Sequence, residues 1–119
     1  MIGTLRSVVV DCPDPQRLAR FWAEALGGEV TEEEPDWVVV TDPQGRRLAF
    51  QLSPEHQPPQ FPDPHGSQQV HFDILVTDVD AAQAAVVELG ATWVLDADED
   101  RFRVFRDPAG HPFCLVWNV

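Results

Sequence analysis

Cationic side chains are scarce in this sequence. Eight lysine and arginine residues stand against 20 aspartate and glutamate residues, which gives the 119-residue chain a formal net charge of −12 at pH 7. Because nucleic-acid phosphates are bound by basic surfaces, this balance argues against a nucleic-acid partner. The acidity favours solubility, and it would also steer a cationic ligand or partner toward the protein.

Cysteine and long hydrophobic runs are scarce as well. The two cysteines, Cys12 and Cys114, are too few for a disulfide framework, so we expect reduced thiols. The apolar runs have the length of strands, and residues 1–6 lack the basic and apolar regions of a signal peptide. We therefore expect one cytoplasmic domain with no membrane partner, long enough to bury a core.

The chain contains an internal repeat. The segment DPQGRRLAF at residues 42–50 recurs 65 residues later as DPAGHPFCL at residues 107–115. Each copy reads as a turn followed by an apolar strand. A repeat of this size predicts two pseudo-symmetric halves built around a shared site.

Hydrophobic periodicity predicts the order β-α-β-β-β in each half. Asp14 and Asp78 are the predicted helix N-caps, and Gly27 and Gly90 are the predicted helix ends. The predicted strands are 5–10, 29–31, 37–41 and 47–52 around a helix at 15–26, then 70–76, 92–95, 102–105 and 113–117 around a helix at 79–89. Two acidic runs, residues 32–34 and 96–100, are predicted to be solvated loops.

The predicted fold class is therefore α+β, with two tandem βαβββ modules in a single domain. Module 1 spans residues 1–53 and module 2 spans residues 69–119. Residues 54–68 hold five of the 11 prolines and read as a linker. Each module needs a cover for the sheet face that its helix does not occupy, so two modules side by side would form a half-barrel cleft suited to a ligand.

These features resemble the vicinal oxygen chelate superfamily, which includes glyoxalase I, extradiol dioxygenases, and fosfomycin- and bleomycin-resistance proteins. The amino-acid sequence of the matching segments is especially similar to that of small glyoxalase-like domain proteins. The matching segments are residues 7–15, 21–22 and 26–27, residues 71–78 and 89–91, and residues 107–114. The resemblance covers nearly the whole chain and implies a homodimer. It does not select one activity, because one fold hosts several chemistries.

The resemblance also implies where metal ligands would lie. Metal-dependent members place one ligand seven residues before each capping Asp and one seven residues after the Asp of each Asp-Pro-x-Gly turn. In this chain those positions are Ser7, Ala49, His71 and Cys114. Ala49 has no donor atom and Ser7 is a poor ligand, so we expect no complete metal site and no cofactor. If a divalent metal binds, His71 and Cys114 would hold it.

Strand alternation adds further polar candidates to the same sheet faces. Gln51 shares a face with Ala49, and Asp73 shares a face with His71, so an irregular metal set of Gln51, His71, Asp73 and Cys114 is one alternative. A carboxylate two residues away can orient an imidazole and raise its pKa, so His71 and Asp73 are the candidate catalytic acid–base pair. The plainer interpretation is a hydrogen-bonded polar pair. Cys114 is a candidate nucleophile, although a buried cysteine more often acts as a small hydrophobic residue.

The leading interpretation is a glyoxalase/bleomycin-resistance-like protein that binds a small organic ligand in the cleft without a complete metal site. The candidate ligand-binding residues are Ser7, Asp11, Gln51, His71, Asp73 and Cys114. The alternative is an enzyme, namely a lyase, isomerase or dioxygenase, that uses an irregular metal site or the His71–Asp73 pair. A third interpretation is an interaction module in which the dimer matters and the cleft does not.

Overall fold

A computed structural model describes residues 1–60, 63, 65–98 and 101–119. For residues 95–98 it describes the backbone only. The first half contains β1 (Val8–Cys12), α1 (Pro15–Leu26), β2 (Glu29–Glu34), β3 (Trp37–Thr41) and β4 (Arg47–Leu52). The second half contains β5 (Phe72–Leu75), α2 (Val79–Leu89), β6 (Thr92–Asp98), β7 (Phe102–Arg106) and β8 (Pro112–Val116). The order β-α-β-β-β is present twice, so the two-module α+β fold is confirmed.

Each half builds its own four-stranded sheet. The strand orders are β1-β4-β3-β2 and β5-β8-β7-β6. In both sheets the first strand pairs parallel with the last strand of its half, and the other neighbours are antiparallel. The chain divides into two compact units, Met1–His56 (unit 1) and Gln57–Val119 (unit 2). Of the described residues, no helix is long and apolar enough to cross a membrane.

The two helices begin and end with the same local chemistry. The carboxylates of Asp14 and Asp78 each accept a hydrogen bond, at 3.1 Å, from the backbone N–H three residues on. These bonds satisfy amide groups that the first helical turn leaves unpaired. Both helices stop at a left-handed residue, Gly27 (φ 65°) and Gly90 (φ 118°). The capping predicted from the sequence is confirmed at all four positions.

The repeated Asp-Pro turns are also built alike. Asp42 Oδ1 accepts backbone N–H bonds from two and four residues on, at 2.9 and 2.8 Å. Asp107 Oδ1 accepts the equivalent pair at 2.9 and 3.0 Å, and its side chain is buried. Each carboxylate therefore fixes the turn that aims the last strand of its module.

Each unit has its own apolar core between one helix and one sheet face. In unit 1, α1 packs on β2, β3 and β4, and in unit 2, α2 packs on β8. Trp22 and Phe50 are among the largest fully buried side chains of unit 1, while Phe105 and Phe113 stack in unit 2 with their ring centroids 5.5 Å apart. The opposite sheet faces combine buried apolar residues, such as Val39 and Val104, with polar side chains.

The first strand lies later in the chain than the sequence predicted. It spans Val8–Cys12 instead of residues 5–10, because its partner β4 spans Arg47–Leu52. The parallel ladder therefore starts with Val8 opposite Leu48 and runs to Cys12 opposite Leu52. The pairing partner, and not the β-branched sequence alone, sets the bounds of this strand.

The prediction that residues 32–34 form a loop is wrong. These three glutamates belong to β2, where backbone pairing with β3 continues to Glu34 opposite Trp37. Their side chains are exposed on an edge strand, which is a common place for charged residues in a sheet. Strand β6 likewise extends to Asp98 instead of ending at residue 95, while residues 99–100 lie outside the described part of the chain.

Part of the proline-rich segment packs on unit 2. Arg106 donates hydrogen bonds from Nη1 to the carbonyl oxygens of Pro59, at 3.1 Å, and Gly110, at 2.9 Å. A Cβ atom added to Gly110 would lie 2.6 Å from Pro58 Cβ, so the segment lies directly against this turn. Residues 61, 62 and 64 of the predicted linker lie outside the described residues.

Candidate functional site

His71, Asp73 and Cys114 form a cluster on one face of the unit 2 sheet. Asp73 lies on β5 and is paired directly with Cys114 on the parallel strand β8. His71 immediately precedes β5 and, by alternation, lies on the same face as Asp73. One potential ligand atom from each side chain, a nitrogen, an oxygen and a sulfur, lies within 4.8 Å of the other two.

The His71–Asp73 pair is open to solvent. His71 Nε2 lies 3.3 Å from Asp73 Oδ1, and the two side chains are 40% and 59% exposed. A contact of this length orients the imidazole, and it becomes an ion pair when the imidazole is protonated. The pair can therefore present a hydrogen-bonding edge to a molecule lying on this sheet face, or exchange a proton with it.

Cys114 differs from its two neighbours because it is buried. Burial, and to a lesser extent the negative charge of Asp73 and a hydrogen bond to Asp73, together raise the pKa of the thiol to about 11. The thiol therefore keeps its proton at neutral pH and donates it in a hydrogen bond to the Asp73 carboxylate. Since the reactive form of a cysteine is the thiolate, this environment does not suit a nucleophile.

The equivalent positions of unit 1 carry different chemistry. Ser7 Oγ accepts a hydrogen bond at 3.1 Å from Nε of Arg47, and Ala49 is fully buried. Arg47 Nη2 also donates to Oε2 of Glu32 at 3.1 Å, and Trp37 Nε1 lies 3.4 Å from the same oxygen. An arginine thus occupies the sheet face where the repeat would place half of a symmetric site.

Asp11 and Gln51 lie side by side at the far end of the same unit 1 face. They are register partners on the parallel strands β1 and β4, and both are exposed. The sequence-predicted candidates therefore fall into two groups. In unit 1, Asp11 lies next to Gln51, and Ser7 is hydrogen-bonded to Arg47. In unit 2, His71, Asp73 and Cys114 lie together.

Arg47 is the residue that sequence reasoning missed. The signal was present, because Arg47 precedes Ala49 by two residues and must share its sheet face by alternation. The sequence predicted a loop at Glu32, the hydrogen-bond partner of Arg47. The pairing of β2 with β3, which shifts register between Val30 and Glu32, brings that glutamate within reach of Arg47.

The four positions at which the resemblance implies metal ligands do not fit a resident ion as a set. Ala49 contributes only a methyl group, and the Ser7 hydroxyl already accepts a bond from a guanidinium cation. A positive charge at that place opposes a second cation. His71 and Cys114 retain donor atoms, and Asp73 adds a carboxylate beside them, so these three residues of unit 2 form a candidate metal group.

Comparison with known proteins agrees with the resemblance. The family model of the glyoxalase-like domain matches residues 7–116, and the chain therefore belongs to the glyoxalase-like domain family. Its fold is that of the vicinal oxygen chelate superfamily, as the sequence predicted. Comparison with curated protein sequences finds no match.

Three solved structures illustrate the likeness. The oxidase ChaP-H2 is 27% identical, with a TM-score of 0.68 and coverage of 100% of this chain and 96% of that one. The fosfomycin resistance protein FosX from Listeria monocytogenes is 16% identical, with a TM-score of 0.73 and coverage of 100% and 94%. The bleomycin-binding protein of Streptomyces verticillus, in complex with copper(II)-bleomycin, is 21% identical, with a TM-score of 0.59 and full coverage of both chains. The last two likenesses concern the fold alone.

Proposed function

We propose that this protein binds a small organic molecule in the cleft expected between its two modules, without a complete set of metal ligands. The observation that carries the proposal is the asymmetry of the two sheet faces. Unit 2 offers the exposed His71–Asp73 pair, whereas the equivalent positions of unit 1 offer the Ser7–Arg47 contact and the methyl group of Ala49.

The polar contacts on both faces suit an organic ligand. The His71 imidazole can donate or accept a hydrogen bond, and the Asp73 carboxylate accepts bonds with Cys114 as one of its donors. In unit 1, Gln51 is register partner to Trp37, so an amide lies next to a half-buried indole on one face. A few placed polar groups beside aromatic surface are typical of small-molecule sites. A protein of the same fold is known in complex with copper(II)-bleomycin.

The test is an equilibrium titration of the whole chain with aromatic molecules of positive, zero and negative charge, followed by tryptophan fluorescence and calorimetry. We expect saturable binding by at least one charge class. We expect His71→Ala to weaken that binding about tenfold, the cost of one lost hydrogen bond to a polar ligand. His65→Ala, at an exposed position of the same unit, is the matched control and should change nothing. Absence of saturable binding, or equal effects of the two variants, would contradict the proposal.

A second candidate function is an enzyme, namely a lyase, isomerase or dioxygenase. It is favoured by the 3.3 Å contact between two exposed titratable groups, His71 and Asp73, and by the 27% identity to an oxidase. Such a pair can move a proton to or from a bound molecule. The discriminating test is metal analysis, followed by activity assays with added Ni²⁺, Zn²⁺, Mn²⁺ or Fe²⁺. A stoichiometric metal that requires His71 would replace the first proposal with this one.

We also propose that the protein is a cytoplasmic homodimer. The family resemblance supports the dimer, and two buried cysteines that form no disulfide are consistent with a reducing compartment. Light scattering coupled to gel filtration would test the assembly, because a mass of one chain across the accessible concentration range would contradict a stable dimer.

A further inference from the structure

Arg47 is a half-buried cation on the unit 1 sheet face. It begins β4, next to Ser7, which immediately precedes β1, and its side chain is only 18% exposed. Its neighbour in the chain, Arg46, is 75% exposed and pairs with Asp42 inside the turn. The two adjacent arginines therefore point to different environments, and only Arg47 has its guanidinium group held on the sheet face.

The contacts of Arg47 already include a carboxylate. Nη2 donates to a single oxygen, Oε2 of Glu32, at 3.1 Å, while Nε donates to Ser7 Oγ at 3.1 Å. Glu32 is 46% exposed and lies on the edge strand β2, immediately after a register shift. The Arg47 hydrogen bond, followed by that of Trp37, holds the pKa of Glu32 below its usual value.

The Glu32 contact leaves part of the hydrogen-bonding capacity of Arg47 unused by a paired carboxylate. A guanidinium group presents a planar fork of N–H donors that matches a carboxylate with two parallel bonds. Glu32 uses one oxygen, which it shares with the Trp37 indole, and its exposed side chain can rotate into solvent. A ligand carboxylate could then accept bonds from Nη2 and Nη1 of Arg47 while Nε keeps its bond to Ser7 Oγ, with the half-buried Trp37 ring as an apolar neighbour for a flat body.

We propose that Arg47 anchors a carboxylate group of the bound organic molecule on the unit 1 sheet face, in exchange for Glu32. The ligand is then an aromatic or apolar carboxylic acid, in spite of the acidic net charge of the protein. This inference rests on the proposed function, because it names the charged group of the ligand that the site would bind.

The wild-type test compares 2-naphthoate with its neutral isostere 2-naphthamide by tryptophan fluorescence and calorimetry on the whole chain. We expect the acid to bind about tenfold or more tightly than the amide, the range of a charge-assisted pair. Equal affinities would overturn the Arg47 inference and leave the proposed function standing. Absence of binding by both probes would also overturn the Arg47 inference, while saturable binding of a cationic aromatic probe would leave the proposed function standing.

Variants test whether the preference for 2-naphthoate over 2-naphthamide depends on Arg47. We expect Arg47→Gln to abolish the preference for the acid, Arg47→Lys to keep part of it, and Arg46→Gln, the matched control with the same charge change, to keep all of it. We expect Glu32→Gln to tighten 2-naphthoate binding several-fold, about 3- to 10-fold, because the internal competitor is neutralised. A purely structural Arg47–Glu32 pair would instead make Glu32→Gln weaken binding of both probes, and that result would overturn the inference.

Discussion

The titration of Cys114 is the most specific electrostatic expectation for the unit 2 cluster. Its thiol has a pKa of about 11, against an ordinary value of 9.0, chiefly because it is buried and further because Asp73 lies beside it. Two pKa units correspond to about 3 kcal/mol in favour of the neutral thiol. At about pH 8 the thiolate is therefore about 100-fold less populated than in an ordinary cysteine.

The assay is alkylation by iodoacetamide over a pH series, with peptide mass spectrometry to separate Cys114 from Cys12. The pH dependence reports the pKa of the thiol, while restricted access changes only the maximal rate. We expect an apparent pKa of about 11 in the wild type. In Asp73→Asn it should fall but stay above 9.0, because the charge is removed while burial, the largest cause, remains. Asp80→Asn, at a side chain 85% exposed in the same unit, is the control and should leave it unchanged.

The same shift makes stability depend on pH in a defined direction. The pKa of Cys114 is higher in the folded than in the unfolded protein, so the stabilisation by the buried thiol is complete below 9.0 and is lost as pH rises toward about 11. The free energy of unfolding should therefore fall across this window, and less steeply in Asp73→Asn. A wild-type thiol that titrates at or below 9.0 would refute the reasoning and would leave a thiolate available to bind metal or attack a ligand.

Two further predictions concern unit 1. A Cβ atom added to Gly28 would lie 2.7 Å from the backbone oxygen of Thr41, so Gly28→Ala should cost about 1–3 kcal/mol in urea unfolding, while Gly3→Ala, which meets nothing within 4 Å, should be neutral. The carboxyl of Glu32 should titrate below 4.5 by NMR and should move up toward 4.5 in Arg47→Gln, because the largest cause of its lowered pKa is the Arg47 hydrogen bond. Equal free energies of unfolding for Gly28→Ala and Gly3→Ala would contradict the close contact at Gly28. A Glu32 pKa that is the same in the wild type and in Arg47→Gln would contradict the Arg47 hydrogen bond.

Local chemistry made much of the fold predictable from the sequence. The Asp14 and Asp78 caps and the two Asp-Pro turns bond to backbone groups within four residues. They can therefore be recognised in the sequence without knowledge of tertiary contacts. Alternation along a strand likewise predicted that His71 and Asp73 share a face. These features are local, and the caps and the turns each occur twice in the repeat.

Features that depend on pairing between distant strands were not predictable. The family resemblance and alternation put His71, Asp73 and Cys114 in one candidate set, but hydrophobic periodicity contains no signal for the register that sets Asp73 opposite Cys114. It also contains none for the bulged pairing of β2 that brings Glu32 to Arg47. The three consecutive glutamates looked like a loop because strand propensity is low for glutamate, and pairing with β3 overrides that preference. The candidate site therefore emerged in part from alternation and in part only from the folded register.

Metal content tests the central claim most directly. The protein would be purified without chelator, analysed for transition metals, and titrated with an aromatic probe before and after dialysis against EDTA. We expect well under one equivalent of metal, about 0.1 or less per chain, and unchanged probe affinity after dialysis. About one equivalent of metal, lost together with probe binding in His71→Ala, would contradict a metal-independent binding protein.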